Sequence, residues 1–510
     1  MPEKLRHRSP APEQPTADED ASSSRKRERS WDDPPRGGGA VESSSLSSVW
    51  TLLTNQTVLF SVPVLILVTI ASLDNADKQL LASSFPMLEK TLHLDVKVLG
   101  YFSLFTNLSY AASLPFWGFL VHQYGIQNIH YLLSISCASW GLATIGIAAS
   151  GNSVFFQAVF RALNGVALGS ILPLSQTLLV ELVEMTMRGR AFGFMGLCEK
   201  LAGTIAAASI IYFENWQHPY IILGLFSLLM AAISLPFLGP ACRSCQPKED
   251  NSLLKDESSS KMTLRQIVRR IARVPAFTFL VAQGVFGGTP WDMMSFLLLL
   301  LDWRGFSKEE IVSIQFATGV SSTIGGWLGG LLGDAAQERL GVRGRIAVAL
   351  VSVLGGIPLY GLFLFANEYR WALLWITLFN IWATWPPAGA LRPLCAALTT
   401  SPSERAQIIS MWIVLEKASG AIFGAPLVGY LTSKSILNDS EYLSVEGYSA
   451  ERSHALAWTL FGLSSLFWFM CAIFWVLMGM TIQPDQIALK SKNHRQTETR
   501  DKGKELEPLV

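Results

Sequence analysis

The feature that most constrains the fold of this chain is a series of long apolar runs separated by short polar breaks. Each run has about 20 or more residues, the length at which an α-helix crosses a bilayer core of ~30 Å. Lipid offers the backbone no hydrogen-bond partner, so each run is predicted to be helical. We count twelve runs, at about 58–80, 97–121, 127–149, 153–183, 189–213, 219–239, 274–301, 310–335, 345–366, 370–398, 406–432 and 455–481. The sequence therefore predicts an all-α integral membrane protein with twelve transmembrane helices.

Composition excludes several classes of function. Of the 510 residues 50% are hydrophobic and only 15% are charged, against roughly 25% charged in soluble domains. The net charge of +1 argues against nucleic acid as a partner. No GxxxxGK[ST] loop, zinc-type His/Glu motif or GxSxG motif occurs in the sequence, which disfavours an ATP-driven pump and a membrane enzyme. We expect no cofactor, no bound metal and no enzymatic activity.

The polar segments divide the chain into two six-helix halves. Residues 1–57 are predicted to form a disordered N-terminal tail, because Ser, Pro, Gly and mixed charge dominate them. The halves are 58–239 and 274–482. The central loop 240–273 between them carries a basic amphipathic helix from about Met262, suited to an anionic leaflet. A basic tail, 483–510, ends the chain, and both termini are expected to lack a fold of their own.

Basic residues in the loops predict the orientation. By the positive-inside rule, the loops rich in Lys and Arg face the cytoplasm. This places both termini in the cytoplasm and the sequon at Asn438 outside. The sequence leaves open whether the membrane is the plasma membrane or an endolysosomal one. It also leaves open whether Asn438 is glycosylated. The basic loop residues are Arg188, Arg190, Arg339, Arg343, Arg345 and Arg405.

A long-range repeat indicates duplication. CEKLAGTI at 198–205 returns as LEKASGAI at 415–422, a shift of 217 residues. Repeats of solenoid proteins are only ~20–50 residues long, so two fused copies of a multi-helix half are indicated, as in many secondary transporters. Both Glu-Lys pairs are predicted near the bilayer midplane, about 16 Å from the cytoplasmic face. They act either as helix locks or as arms of a substrate site. The matched residues are Glu199 and Glu416, Lys200 and Lys417, Gly203 and Gly420, and Arg188 and Arg405.

Two motifs resemble the major facilitator superfamily. GGLLGDAAQERLGVRGR at 329–345 resembles its loop between the second and third helices of a half, and RALNGVALG at 161–169 resembles its fourth-helix motif with a buried Arg, here Arg161. Glycines four apart, Gly165 and Gly169, allow close helix approach. The first-half loop, GFLVHQYGIQNIH at 118–130, has His122 where an Asp is usual. The resemblance implies a gating loop made by Gly330, Asp334, Arg339, Gly341, Arg343 and Arg345.

The first helix resembles the spinster-like branch of that superfamily, including its plant and algal members. LDNADKQLLASSFPMLEK at 73–90 carries the acid–base dipeptide of the branch as Asp77 and Lys78, and VAQGVFGGTPWDMMSFLLL at 281–299 adds to the match. The resemblance implies that Asp77 and Arg161 couple protons to lipid export. A fourth-helix Glu of the branch falls on Leu168 here, so the lipid cavity is expected to differ.

Charges inside the apolar runs are the candidate functional groups. Each unpaired charge near a helix centre costs at least ~2.5–3.5 kcal/mol, so pairing or hydration is expected. Asp74 and Lys78 lie four apart and can pair on one helix face, which leaves Asp77 to reach another helix, with Arg161 as the candidate partner. The candidate residues of a substrate cavity are Glu199, Lys200, Trp291, Asp292, Arg392, Glu416 and Lys417. The acids are Asp74, Asp77, Glu199, Asp292 and Glu416, and the bases are Lys78, Arg161, Lys200, Arg392 and Lys417.

These patterns predict a secondary transporter that works by alternating access. Protons are the expected coupling ion, because a buried carboxylate beside a cation can titrate near neutral pH. The expected substrate is an amphiphile, such as a lysolipid or sphingoid base, or a small organic solute, and the expected working unit is a monomer in the lipid bilayer. A non-transporting receptor or tether with the same fold is the alternative.

Overall fold

The fold is that of a computed structural model, which describes residues 61–183, 187–213, 215–244, 275–398, 402–439 and 445–506. The expectations for the N-terminal tail, and for all of the central loop beyond Ser244, fall outside these residues. The described residues form helices, and no strand occurs among them. This confirms the all-α prediction.

The first half contains seven helices that make up six spans. Pro63 lies in the first turn of the first helix, where a missing N–H costs nothing, and His93 caps its C-terminal end in a left-handed conformation with φ 52°. The fourth span breaks at Gly169 and Ser170 into two helices. The helices are α1 Val62–Leu92, α2 Val96–Tyr124, α3 Ile129–Ala149, α4 Val154–Leu168, α5 Ile171–Leu182, α6 Arg188–Tyr212 and α7 Gln217–Ser244.

The second half also makes six spans, three of which are interrupted. A 3₁₀ turn divides the seventh span, a π-helical turn at Pro387–Leu391 divides the tenth, and Gly424 divides the eleventh. The long eighth span begins with a capping box, in which Ser307 and Glu310 satisfy each other's backbone N–H groups. The helices are α8 Pro275–Met293, α9 Leu297–Trp303, α10 Lys308–Leu340, α11 Val342–Leu364, α12 Tyr369–Ala383, α13 Arg392–Leu398, α14 Pro402–Phe423, α15 Ala425–Asp439 and α16 Val445–Leu506.

The packing of helices repeats between the halves, as a duplication requires. Helix α1 packs on α6, and α8 packs on α14. Likewise α3 packs on α7 and α11 on α16, while α2 packs on α4 and α10 on α12. In the described part of the chain, eight helical segments are long and apolar enough to cross a membrane. The remaining spans, α1, α2, α10 and the pair α12 and α13, carry more polar residues or are shorter, and they complete two bundles of six.

Several boundaries differ from those expected. The "gating loop" is almost entirely helical, because α10 runs to Leu340 and α11 begins at Val342, so that only Gly341, with φ +65°, lies between them. His122, expected in the loop at 118–130, lies in α2. Helix α16 continues to Leu506 beyond the apolar segment that ends at Ile482. The expectation of a disordered C-terminal tail is therefore wrong for residues 483–506, which are rich in helix-forming Lys, Gln, Glu and Arg.

Candidate functional site

A central cavity lies between the two halves. Its volume is about 690 Å³, and side chains of both halves line it. Apolar and aromatic side chains of α8, α12 and α16 form one part of the wall, including Trp291, Phe379 and Trp468. The first half contributes a more polar wall, built around Asp77, Lys78 and Asn164.

Asp77 lies in the middle of α1 and is held by neutral donors. Its Oδ2 accepts hydrogen bonds from Trp140 Nε1 at 2.7 Å, Thr144 Oγ1 at 3.0 Å and Asn164 Nδ2 at 3.2 Å. The carboxylate therefore reaches α3 and α4. This agrees with the expectation that Asp77 contacts another helix, because Lys78 pairs with Asp74. The prediction that Asp77 pairs with Arg161 is wrong, because no ion pair joins these two residues among those that the structure describes. The three neutral donors satisfy Oδ2 of the carboxylate without a cation.

Arg161 is instead held between aromatic rings. The side chain is buried, with 1% of its surface exposed. The guanidinium carbon lies 4.9 Å from the centre of the Phe102 ring and 5.6 Å from that of Tyr220. Its Nε and Nη2 atoms have no hydrogen-bond partner in the described structure, and the residue borders the central cavity.

The predicted pair of Asp74 and Lys78 is confirmed. Lys78 Nζ lies 2.6 Å from Asp74 Oδ2, and both side chains project from one face of α1. The ammonium group also lies 4.8 Å from the centre of the Tyr110 ring on α2. Asp74 is buried, while 37% of the Lys78 side chain remains exposed, toward the cavity that it lines.

The duplication extends to positions outside the two Glu-Lys copies. Asn75 of α1 packs against Gly203 of α6, and its amide donates to the carbonyl of Glu199 at 2.6 Å. A shift of 217 residues carries Asn75 onto Asp292 and Gly203 onto Gly420, and Asp292 does pack against Gly420. The side chain that packs against the glycine is thus a neutral amide, Asn75, in the first half and a carboxylate, Asp292, in the second.

Most residues expected in the cavity do line it. Lys200, Trp291, Asp292, Glu416 and Lys417 are lining residues. Lys417 Nζ lies 3.9 Å from Asp292 Oδ1, and Trp291 contacts Phe379 and Trp468 with ring centres 5.9 and 6.5 Å apart.

Two expected cavity residues do not line it. Glu199 and Arg392 are absent from the described lining. Glu199 lies at the α1–α6 contact, where its carbonyl accepts from Asn75. Lys200, one residue on, lies on a different face of α6 and lines the cavity. Arg392 is exposed at the start of α13, where the π-helical turn has rotated the chain.

One end of the bundle is closed by contacts between the halves. At this end, which we call the Glu89 end, Glu89 of α1 makes an ion pair with Arg452 of α16 and accepts a hydrogen bond of 2.7 Å from Trp303 Nε1. The Arg452 guanidinium stacks 4.1 Å from the Trp303 ring centre. Lys90 pairs with Asp302 at 2.7 Å.

Helices α2 and α15 add to this closure. Ser433 donates to Asp95 at 2.6 Å. The backbone of Ala425 and Pro426 comes so near to Gly100 that a Cβ at that position would lie about 2.9 Å from the Ala425 carbonyl oxygen. A real Cβ does not approach that closely, so glycine is required there. At the Glu89 end the two halves are therefore joined by ion pairs, hydrogen bonds and close backbone packing.

The opposite end carries the motif of 329–345. Arg345 is buried and makes an ion pair with Asp334, a hydrogen bond with Gln337, and a hydrogen bond of 2.7 Å to the carbonyl of Gly389. These contacts join α10, α11 and the π-helical turn within the second half. Gly330 has open space around it, and Arg339 and Arg343 are exposed.

Sequence reasoning missed the neutral donors around Asp77 and the cluster at the Glu89 end. Thr144 and Asn164 stood out only as polar residues within apolar runs. Glu89 and Arg452 lie 363 residues apart, and no repeat or motif connects them. In the described residues no group of three or more His, Cys, Asp and Glu side chains is placed to hold a metal ion.

Two bundles of six helices around a polar, charge-bearing cavity define a multi-pass membrane transporter. A family model described as Major Facilitator Superfamily matches residues 67–425. The chain belongs to the Major Facilitator Superfamily, and this supports secondary transport of a small molecule as its activity.

Relatives and solved structures agree with that class. The chain is 25% identical over 375 residues to the putative niacin/nicotinamide transporter NiaP of Bacillus subtilis, covering 71% of this chain and 86% of that protein. It is 23% identical over 314 residues to the hexuronate transporter of Escherichia coli K12, covering 56% of this chain and 69% of that protein. Its fold is similar to a bacterial homologue of the human lysosomal transporter Spinster in an inward-facing, unoccupied conformation, with TM-score 0.66, 17% identity, and 83% and 97% of the two chains covered. The nucleoside transporter NupG gives a TM-score of 0.57 at 13% identity, with 83% and 99% of the two chains covered.

Proposed function

We propose that this protein is a proton-coupled secondary transporter that works by alternating access as a monomer, with Asp77 as the group that takes up and releases the proton. Its substrate is an amphiphilic, lipid-like molecule or a small organic solute. Both termini face the cytoplasm, in either the plasma membrane or an endolysosomal membrane.

The environment of Asp77 carries this proposal. The carboxylate is buried in the middle of a spanning helix, lines the cavity and has only neutral hydrogen-bond donors around it. A buried carboxylate without a cation is a place where binding a proton removes an uncompensated charge. Asp74, one turn earlier on α1, already has Lys78 and lacks this property.

The hydrogen bonds of Asp77 give the proton a structural effect. Thr144 Oγ1 lies 3.0 Å from Asp77 and 2.9 Å from the carbonyl of Trp140. When Asp77 is protonated, the Thr144 hydroxyl can turn its hydrogen to that carbonyl and accept a hydrogen bond from the carboxyl group. Asn164 would then lose part of its attraction to Asp77. Protonation thus alters how α1 is joined to α3 and α4, and so which closed arrangement of the halves is favoured.

The closed Glu89 end supports alternating access. With the termini in the cytoplasm, this end faces away from the cytoplasm, so the described state is the inward-facing one. The fold's similarity to an inward-facing Spinster homologue is consistent with this assignment. An outward-facing state requires the contacts of Glu89, Lys90 and Asp95 with the second half to break.

The mixed lining of the cavity supports the substrate class. Charged groups concentrate on the wall around Asp77 and Lys78, while Trp291, Phe379 and Trp468 present aromatic surface. A molecule with one polar and one apolar end suits such a site better than a uniformly polar one. Two relatives are named as transporters of hexuronate and of niacin or nicotinamide. Transport of a solute of this kind agrees with the proposal of a small organic substrate.

The test is transport by Asp77→Asn in reconstituted vesicles. We expect this variant to lose uptake driven by a pH gradient, while keeping exchange of substrate across the membrane without a gradient, because Asn retains the shape but cannot gain or lose the proton. Glu309→Gln, an exposed acid at the start of α10, is the matched control and should transport normally.

Normal transport by Asp77→Asn with unchanged pH dependence would refute the role of Asp77. The same vesicles test the alternative of a non-transporting receptor, since a receptor would move no substrate in any condition.

A further inference from the structure

We infer that Arg161 is the binding subsite for an anionic group, a carboxylate or a phosphate, on the transported molecule. The inference rests on the proposed transport function and adds the charge class of its substrate. It arises from the environment of Arg161 in the described state, where the expected pairing with Asp77 is missing.

The guanidinium of Arg161 has unsatisfied hydrogen-bond donors. Arg161 is 1% exposed, and its Nε and Nη2 have no hydrogen-bond partner in the described structure. A guanidinium remains charged at all physiological pH values, so it cannot relieve this cost by losing a proton. Buried cations in membrane proteins pair with an anion or face a polar cavity. Arg161 faces a cavity and lacks the anion.

The two acids of α1, Asp77 and Asp74, already have other partners. Asp77 is held by Trp140, Thr144 and Asn164, and Asp74 is held by Lys78. The charge that balances Arg161 is therefore not supplied by either α1 carboxylate in this state. A ligand that enters the cavity can supply it.

Two aromatic rings orient the Arg161 side chain. Phe102 and Tyr220 lie against the guanidinium at 4.9 and 5.6 Å, and the Tyr220 hydroxyl is itself within 3.2 Å of Ser84 Oγ. Rings against a guanidinium fix its plane by cation–π attraction. A plane fixed in this way leaves the N–H fork at its edge, which matches the two oxygens of a carboxylate or phosphate.

The remainder of the cavity fits the rest of such a molecule. Lys200 also lines the cavity and makes no ion pair among the described residues, so it adds to the positive potential. The aromatic side chains Trp291, Phe379 and Trp468 on the other wall offer apolar surface. A volume of about 690 Å³ lies within the range of sites for drug-sized ligands, roughly 300–1,000 Å³. The subsite thus suits an organic anion with an apolar or ring-shaped body.

The experiment compares acids with their neutral analogues on the purified full-length protein. Ligand-induced thermal stabilisation is titrated with three pairs: benzoate and benzamide, glucuronate and glucose, and lysophosphatidate and monoacylglycerol. We expect at least one acid to stabilise the protein and its neutral partner to bind at least about 10-fold more weakly, as loss of a charge-assisted hydrogen bond implies. A response confined to the third pair identifies a lipid phosphate, and one confined to the first two identifies a soluble carboxylate. Equal binding within every pair, or no binding by any acid at millimolar concentration, would overturn the inference.

Variants then locate the binding. Arg161→Gln should weaken binding of the acid by about 10- to 100-fold and leave binding of its neutral analogue unchanged, while Arg161→Lys restores part of it. Arg370→Gln, an exposed arginine at the start of α12, is the control. If Arg161→Gln does not fold, Phe102→Leu keeps the charge but removes one ring, and should weaken only the acid. Retention of wild-type acid affinity in the arginine variants would place the anion elsewhere.

The two proposals fail separately. Binding of an acid at Arg161 without any proton-driven flux would refute the proposed transport function and leave the subsite standing. Proton-driven flux of neutral analogues that Arg161→Gln does not alter would refute the subsite and leave the transport function standing.

Discussion

Asp74 and Asp77 lie within one turn of α1, yet different kinds of partner hold their carboxylates. Asp74 has a cation on its own helix, and Asp77 has three neutral donors on two other helices. The first arrangement needs only the four-residue spacing within a helix. The second depends on how three helices are placed against each other. The charge of Asp74 is therefore neutralised by a neighbour on α1. Asp77, which lines the cavity, has only neutral donors.

Removing one member of the Asp74–Lys78 pair should destabilise the protein more than removing both. Asp74→Asn or Lys78→Met leaves a charge without its partner, and full burial would cost ~3–5 kcal/mol. Because the Lys78 side chain is 37% exposed, we expect about 1–2 kcal/mol for each single variant. The double variant should recover most of this loss. Thermal unfolding in detergent measures the cycle, and additive losses would show that the two charges do not interact.

Some contacts of single residues could be predicted from the sequence, and others could not. Spacing alone identified Asp74 and Lys78 correctly, since both lie on one helix. The pairing of Asp77 with Arg161 failed because it assumed that a carboxylate in a membrane needs a cation, whereas Trp140, Thr144 and Asn164 supply the hydrogen bonds. The relation of Asn75 to Asp292 was present in the sequence, because the 217-residue shift that matched Glu199 with Glu416 also matches these two.

At the scale of elements, glycines set the distance between helices. A Cβ on Gly165 of α4 would overlap the carbonyl oxygen of Thr106 on α2, and one on Gly169 would overlap Ser113. These are the glycines four residues apart in RALNGVALG. Their close approach fixes α4, which carries both Arg161 and Asn164, against α2. The positions of the two cavity groups thus depend on residues with no side chain.

Gly165→Ala should therefore be costly. The added methyl group meets backbone rather than a flexible side chain, so α2 and α4 must separate, and overpacking of this kind costs about 1–3 kcal/mol. Gly326→Ala in α10 is the matched control, since nothing lies within 4 Å of a Cβ there, and alanine is the better helix former. We expect Gly165→Ala to lower the unfolding temperature and Gly326→Ala to leave it unchanged or raise it. Equal melting of the two variants would refute the close packing.

At this scale the long apolar runs predicted the helices well but not their interruptions. The tenth span breaks into α12, a π-helical turn and α13, because Pro386 and Pro387 cannot complete a regular ladder of hydrogen bonds. The supposed loop at 329–345 is helical, since a family motif gives residue identities and not the length of the turn. Helix ends depend on contacts that composition does not contain.

At the scale of the whole molecule, the halves meet tightly at the Glu89 end. The duplication predicted two bundles with a cavity between them, and family membership and fold similarity agree. Which end of the bundle is closed could not be predicted. Closure depends on pairs such as Glu89–Arg452 and Lys90–Asp302, whose members are hundreds of residues apart and carry no sequence signal.

Weakening that end should open it. In Glu89→Gln combined with Lys90→Gln, both ion pairs to the second half are lost, so a longer-distance population should appear at this end. Spin labels at Asn152 and Asn367, which are exposed in the loops before α4 and α12, would report it by pulsed electron resonance in a background without native cysteines. Lys308→Gln, which removes an exposed charge at the start of α10, should not change the distances. An unaltered distribution in the double variant would show that other contacts keep the end closed.

Trp303, which stacks on Arg452, can also report the state of this end by its fluorescence. The indole is 8% exposed, donates its N–H to Glu89 and lies under a guanidinium. When the halves part, the ring loses the carboxylate, the cation and its cover at once, and water takes their place. The emission that disappears on Trp303→Phe substitution should therefore shift to longer wavelength whenever the Glu89 end opens. The protein thus contains its own fluorescent sensor of which side it faces, and turnover can be followed in unlabelled molecules.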